Sequence, residues 1–265
     1  MTDSMLFKRF GPWAIITGAS SGIGEGFAYE LASNGFNLVL AARRVDLLEK
    51  VGMALSEKFD IQYKVLQVDM FQPRAIETII QACEKLDIGL LISNAGTGRP
   101  GRFINRKEDD LSEIIQVNAL SHIWLTYHFS KTFALKGKGG IVLTGAMGST
   151  NGVPFMAIES GTKAFLEGFG KALNYELKDK GVNVTVLVTP PTQTAVLGEL
   201  GFTDENIPVA PIPVKQCVVQ ALKALRKNKP SILPGRKFRM MNSLVPPGLN
   251  RQVMGDMMKK FNNIE

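Results

Sequence analysis

Apolar positions follow two alternating rhythms along the chain. Short continuous runs, Trp13–Ile16, Leu38–Ala41, Val65–Val68, Ile88–Ile92, Ile141–Leu143 and Val184–Val188, are rich in Val, Ile and Leu. Between them lie longer segments whose apolar residues recur every three or four positions. The runs lack the in–out alternation of a half-exposed strand, so they predict strands of a parallel sheet covered on both faces. The longer segments predict helices that open at Gly22–Gly24 and span about 44–59, 73–86, 108–135, 154–180 and 214–227. Pro73 suits a first helical turn, where a missing N–H costs little. A short strand is expected at 231–233. The alternation predicts an α/β fold, one doubly wound sheet with right-handed crossovers over residues 1–235. Its ligand crevice should lie beyond the carboxyl ends of the strands.

The tail, 236–265, reads differently. Val253, Met254, Met257, Met258 and Phe261 recur at helical spacing and predict a helical extension. It packs on the same domain or on a second subunit. Flanking Arg251, Lys259 and Lys260 admit another use, as a docking face for an anionic membrane surface or an acidic carrier protein. Charge sharpens this picture. The net charge is +7, yet eleven Lys/Arg and only two Asp/Glu fall in 215–265, leaving residues 1–214 near −2. The basic excess lies in the last fifty residues and is not a feature of the fold as a whole, and no nucleic-acid partner is expected.

Composition adds limits. With 265 residues, 45% of them hydrophobic, the chain suits one large domain with a sizeable core. No apolar run approaches the ~18–20 residues of a membrane span, and the stretch after Lys8 and Arg9 is too short for a signal peptide. A cytoplasmic location is expected. Cys83 and Cys217 form neither a disulfide framework nor a metal-ligand cluster.

The most specific chemistry lies in Thr17-Gly18-Ala19-Ser20-Ser21-Gly22-Ile23-Gly24. A strand, a turn of small residues and a helix start make an anion site, because backbone N–H groups point outward and absent Cβ atoms allow close approach. This string resembles the cofactor turn of the short-chain dehydrogenase/reductase family, and the resemblance extends over about residues 11–235. It implies a Rossmann-type domain that binds a nicotinamide cofactor through Gly18, Ser20, Ser21, Gly22, Ile23 and Gly24. Arg43 and Arg44 follow the second strand. Arginine there suits the 2′-phosphate of NADP(H), whereas an acid would suit NAD. Asp69 and Met70 resemble the family's adenine-contacting step. Asn94-Ala95-Gly96 resembles its Asn-Ala-Gly motif, and Asn118 its active-site Asn. After the sixth strand the family's Pro-Gly is replaced by Pro190-Pro191, with Thr192 or Thr194 left to reach the nicotinamide carboxamide.

The family's usual catalytic set is Ser, Tyr-x-x-x-Lys and the helix Asn. In Pro154–Phe165 the lysine is present as Lys163, but Glu159 stands at the tyrosine position. The serine position falls at Ala146, with Thr144, Ser149 or Thr150 as substitutes only in another register. Glu159 and Lys163 sit four apart, so an ion pair between them is expected. Such a pair leaves Glu159 a base or a purely structural partner, whereas a dry pocket makes it an acid. His122, one helical turn after Asn118, is a further catalytic candidate. Tyr127 and Tyr175 are expected to be packing residues. Residues 195–213 lie where the family's substrate lid sits, and Leu197, Leu200, Phe202, Ile207 and Val209 suggest an apolar ligand.

Two functions follow from the resemblance. One is an NADP(H)-dependent enzyme acting on a small apolar carbonyl-type substrate, by atypical reduction or by redox-neutral isomerisation, dehydration or cyclisation. The other is a non-catalytic NADP(H)-binding sensor or helper subunit. The family also implies a homodimer or homotetramer.

Overall fold

The computed structural model describes residues 4–203 and 206–264. Met1–Asp3, Asp204, Glu205 and Glu265, parts of the expected domain, lid and tail, lie outside the described residues. Seven strands form one parallel sheet in the order β3-β2-β1-β4-β5-β6-β7. They are β1 (Trp13–Thr17), β2 (Asn37–Ala42), β3 (Tyr63–Gln67), β4 (Ile88–Ser93), β5 (Gly139–Ala146), β6 (Val182–Thr189) and β7 (Ser231–Ile232). The large helices between them are α2 (Gly22–Ala32), α3 (Val45–Phe59), α4 (Ala75–Cys83), α5 (Glu108–Ile115), α6 (Ser121–Lys136), α7 (Ala157–Glu176) and α9 (Val214–Arg226).

Successive strand residues feed two cores, which is why the strands read as unbroken apolar runs. Ala14 and Ile16 join Leu38, Leu40, Leu90 and Ile92 under Phe27, Leu31, Leu48 and Val218. Ile15, Val39 and Leu91 point the other way, under Ile79, Leu125, Phe129 and Phe133. Each large apolar side chain buried this way is worth about 1.5–3 kcal/mol. Strand order reverses between β1 and β4, where Ile16 lies level with both Leu40 and Ile92. A crevice therefore opens beyond Thr17 and Ser93.

Several elements differ from the sequence reading. A short helix α1 (Ser4–Phe10) precedes β1, burying Leu6 and Phe10. Seven residues are too few to show a helical period. Pro73 lies in a turn, and α4 starts two residues later, after the Ala75 N–H closes on the Gln72 carbonyl. The expected 108–135 helix contains a π-helical turn at Gln116–Leu120. The 154–180 helix starts only at Ala157, because Phe155 has a left-handed backbone (φ 63°). Tyr127 and Tyr175 are exposed, contrary to the packing role expected of them. Mid-helix position alone does not say which face a residue takes.

The segment where a lid is expected carries a one-turn helix α8 (Ala195–Glu199), and the tail forms α10 (Arg236–Leu244) and α11 (Pro247–Phe261). The inner face of α11 packs on its own chain. Gly255 lies against Pro154, Met258 is buried, Phe261 meets Phe202 edge-on at 5.7 Å, and Asn262 Nδ2 donates to the Leu200 carbonyl. Val253, part of the expected stripe, is exposed instead. No helix among the described residues is long and apolar enough to cross a membrane.

Candidate active site

The turn after β1 is shaped by missing atoms. Gly18 (φ 67°) and Gly22 (φ 59°) take left-handed backbone conformations that disfavour side chains. A Cβ on Gly24 would fall 2.1 Å from the Gly18 carbonyl oxygen, so α2 enters directly beneath the turn. A Cβ on Gly22 would crowd the Thr194 methyl at 3.2 Å. What remains is a cradle at a helix N-terminus, whose first N–H groups have no partner within the helix. Ile23 packs partly into the core behind it.

Arg44 reaches across from β2. Its Nη2 donates to Ser20 Oγ at 3.0 Å and Ser21 Oγ at 2.9 Å. Ser21 occupies the N-cap position of α2 but makes no side-chain cap bond to the helix. Arg43 is exposed beside it. Two arginines and two hydroxyls around one glycine cradle fit a dinucleotide that carries an extra phosphate on its ribose. At the end of β3, Asp69 is partly exposed, and its Oδ1 accepts the Phe71 N–H. The Met70 side chain is buried in the core, so contact with a ligand falls to its backbone.

Thr17 and Asn94 tie the strand ends together. The buried Thr17 hydroxyl accepts the N–H groups of Asn94 and Ala95 at 2.9 and 3.0 Å. Asn94 Nδ2 donates to the Thr17 carbonyl and its Oδ1 accepts the Thr144 hydroxyl. Asn118 sits in the π-helical turn and grips Thr97 twice. Its Oδ1 accepts the Thr97 N–H and its Nδ2 donates to the Thr97 carbonyl, both at 2.8 Å. Single π turns recur at functional sites because they displace a side chain from the helical register.

Lys163 enters this group from α7. Its Nζ donates to the Thr144 carbonyl at 2.8 Å and lies against Gly96. Burial of the ammonium lowers its pKa to about 8. Thr194 faces the glycine turn, while the buried Thr192 spends its hydroxyl on the Pro190 carbonyl.

His122, the further catalytic candidate, sits as a buried brace. It is fully buried, with Nδ1 2.7 Å from Ser93 Oγ and Nε2 2.9 Å from the Ala95 carbonyl. Burial, and then the charge of Lys163, lower its pKa to about 3, so the ring is neutral. Both ring nitrogens are used in holding the end of β4.

The expected Glu159–Lys163 pair is absent among the described contacts. Glu159, 6% exposed, turns instead toward the loop between β4 and α5. Its Oε1 accepts Arg106 Nη2 at 2.9 Å and the Arg99 N–H at 3.1 Å. The physical reason is the close approach of that loop. Gly98 passes so near that a Cβ on it would lie 2.4 Å from Glu159 Cγ. The alternative hydroxyls are also committed, Thr144 to Asn94 and Ser149 to the Ala146 carbonyl, while Thr150 is exposed. Sequence reasoning missed Arg99 and Arg106. The available signal was the 97–107 loop, which carries Arg99, Arg102, Arg106 and Lys107 and no acid. Beside the pair is a cavity of about 260 Å³, walled by Phe103, Ile104, Leu111, Ile114, Phe155 and Ile158.

A family model described as short chain dehydrogenase matches residues 12–204. The chain belongs to the short-chain dehydrogenase family. A very-long-chain 3-oxoacyl-CoA reductase of Neurospora crassa is 35% identical over 200 residues, 74% of this chain and 60% of that protein. The human inactive hydroxysteroid dehydrogenase-like protein 1 is 30% identical over 211 residues, 78% of this chain and 64% of that one. The chain thus matches about three fifths of the length of these relatives. A short-chain dehydrogenase from Sphingobium yanoikuyae, solved in complex with NADPH, superposes with a TM-score of 0.80 at 28% identity, covering 93% of this chain and 96% of that one. A structure from a study of 7beta-hydroxysteroid dehydrogenase stereoselectivity reaches a TM-score of 0.85 at 24% identity, over 94% of this chain and 99% of that one, and shares the fold.

Proposed function

We propose that this chain binds NADP(H) and does not carry out the carbonyl reduction usual in its family, acting as a cofactor-binding sensor or helper. One observation carries the reading. At the position where the family resemblance expects a tyrosine, Glu159 is buried and its Oε1 already accepts Arg106 and the Arg99 N–H. A proton donor must reach the substrate oxygen within about 2.6–3.2 Å. A carboxylate oxygen committed to two donors on a neighbouring loop is a poor candidate for that task.

Gly18, Gly22 and Gly24 would cradle the pyrophosphate, Arg43, Arg44, Ser20 and Ser21 the 2′-phosphate, and Lys163 the nicotinamide ribose. When bound, the nicotinamide supplies or accepts hydride. The Asn118–Thr97 clamp and the His122 brace fix the chain after β4, beside which the nicotinamide would lie. The NADPH complex of the Sphingobium yanoikuyae protein supports the choice of cofactor. The human relative named as inactive supports the loss of activity, while the reductase relatives support the second reading given next.

The cavity beside Glu159 favours a second reading, an atypical reductase of an apolar carbonyl compound. The discriminating experiment combines calorimetric titration with turnover assays. NADPH should bind at least tenfold more tightly than NADH, and Arg44→Ala should erase most of that preference. NADPH should not be consumed with a panel of ketones and 3-oxoacyl thioesters. Steady NADPH oxidation with any of them would establish the second reading, and equal affinity for the two cofactors would reject both.

A further inference from the structure

We propose that the tip where α10 meets α11 docks on an anionic lipid bilayer. The proposal goes beyond the cofactor site and stands whichever reading of that site holds. Its first basis is the sequence of the tip. Met240 to Asn250 is an eleven-residue stretch with no charged side chain: Met, Met, Asn, Ser, Leu, Val, Pro, Pro, Gly, Leu, Asn.

The second basis is exposure. Met240 is 54% exposed, Leu244 74%, Leu249 53% and Val253 46%, and Pro246, Pro247 and Gly248 are exposed too. Met240 and Leu244 are four apart on α10, as are Leu249 and Val253 on α11, so each pair lines one helix face. Only Val245 and Pro246 separate the two helices, which places Leu244 and Leu249 on either side of one turn. Single exposed apolar residues are ordinary, whereas four around one tip mark an interaction site.

The third basis is charge. Arg236, Lys237 and Arg239 lie on the α10 side, and Arg251, Lys259 and Lys260 on the α11 side. Asp256 is the one acid among the described residues of the two helices. An uncharged apolar tip between two basic flanks is the arrangement that an interfacial helix pair presents to anionic headgroups, with apolar side chains entering the acyl boundary.

The other occupants fit less well. A second copy of this tip would bring like charges together. An acidic protein surface would use the basic flanks and leave the apolar tip unexplained. The fold does not use the outward side chains. Phe238 and Met258 anchor the two helices on their buried sides, and Arg239 Nη1 donates to the Leu233 carbonyl.

The test is co-sedimentation of the full chain with vesicles of phosphatidylcholine alone or with added phosphatidylglycerol. We expect binding to the anionic vesicles and little to the neutral ones, weakening as salt rises. Arg251→Ala with Lys259→Ala and Lys260→Ala should cut the partition about 100-fold at low salt, roughly fivefold per cation. Leu244→Ser with Leu249→Ser, which removes apolar surface and leaves the charge unchanged, should cut it at least tenfold. The five side chains changed, Leu244, Leu249, Arg251, Lys259 and Lys260, are all exposed, so thermal melts should match the parent. No binding to anionic vesicles at low salt overturns the proposal, as does equal binding to both vesicle types. Unchanged binding by the neutral double Ser variant overturns it in favour of a purely electrostatic contact, as an acidic protein would make. Self-association abolished by Leu244→Asp, with no vesicle binding, overturns it in favour of a second copy.

Discussion

The ends of β1 and β2 and the start of α7 face the same crevice but are built on opposite principles. The first region works by omission. Gly18, Gly22 and Gly24 leave space that a single methyl group would close, and Arg44 with Ser20 and Ser21 leaves a polar rim around it. The second region works by occupation. Glu159 stands where the family resemblance places a tyrosine, and its Oε1 accepts Arg106 and the Arg99 N–H. Cofactor binding and proton transfer are separable requirements. The first is set by the shape and polarity of a turn, the second by one correctly aimed acid. A chain can therefore keep one and lose the other without disturbing the sheet that supports both.

The largest expected effect comes from restoring the missing groups. Glu159→Tyr with Ala146→Ser should raise NADPH-dependent ketone reduction by about 10²–10⁴-fold over the parent, the range a positioned acid–base group supplies. Initial rates at saturating NADPH check it. No gain, with NADPH still bound, would mean that the two regions differ in backbone geometry as well as in side chains.

The next effect concerns the ion pair itself. Arg106→Leu leaves the buried Glu159 carboxylate without its cation and should cost about 3 kcal/mol, near the lower end for breaking a buried pair, since Arg106 is partly exposed. Arg106→Leu with Glu159→Leu should recover most of that loss. Urea melts measure both. NADPH affinity should stay within about twofold in each variant if the two regions are independent.

The last effect is spread over pH, and per pH unit it is the smallest. The folded-state pKa of His122 is lowered to about 3 from an ordinary 6.5. Between those values the unfolded chain takes up a proton that the folded ring refuses. Stability should therefore fall as pH drops from 6.5 toward 3, by up to about 1.4 kcal/mol per pH unit from this group. His122→Gln should flatten that part of the profile. An unchanged slope would show that His122 does not serve as the neutral brace between β4 and α6.

Much of the first region was legible before the fold was known. Glycine spacing, the apolar run before it and the arginines after β2 are local, and each acts where it stands in the chain. The second region was only half legible. The sequence singled out Glu159, Lys163 and Asn118, and the fold brings Lys163 and Asn118 together at Gly96, but the Glu159–Lys163 pair implied by their spacing does not form. Arg106, 53 residues away, takes the carboxylate instead. Similarly, nothing local distinguishes a His122 that lines a cleft from one sealed behind it, or a buried Tyr175 from an exposed one.

By itself, the sequence determined the parallel sheet, its two cores, the glycine cradle and the uneven placement of charge. Those features depend on the period of apolar residues and on backbone freedom, which neighbours in the chain decide. Tertiary structure alone decided which polar groups meet. A buried charge pairs with whichever donor the backbone brings within about 3 Å. Here the close pass of Gly98 over α7 brought Arg99 and Arg106 to Glu159 and left Lys163 to the Thr144 carbonyl.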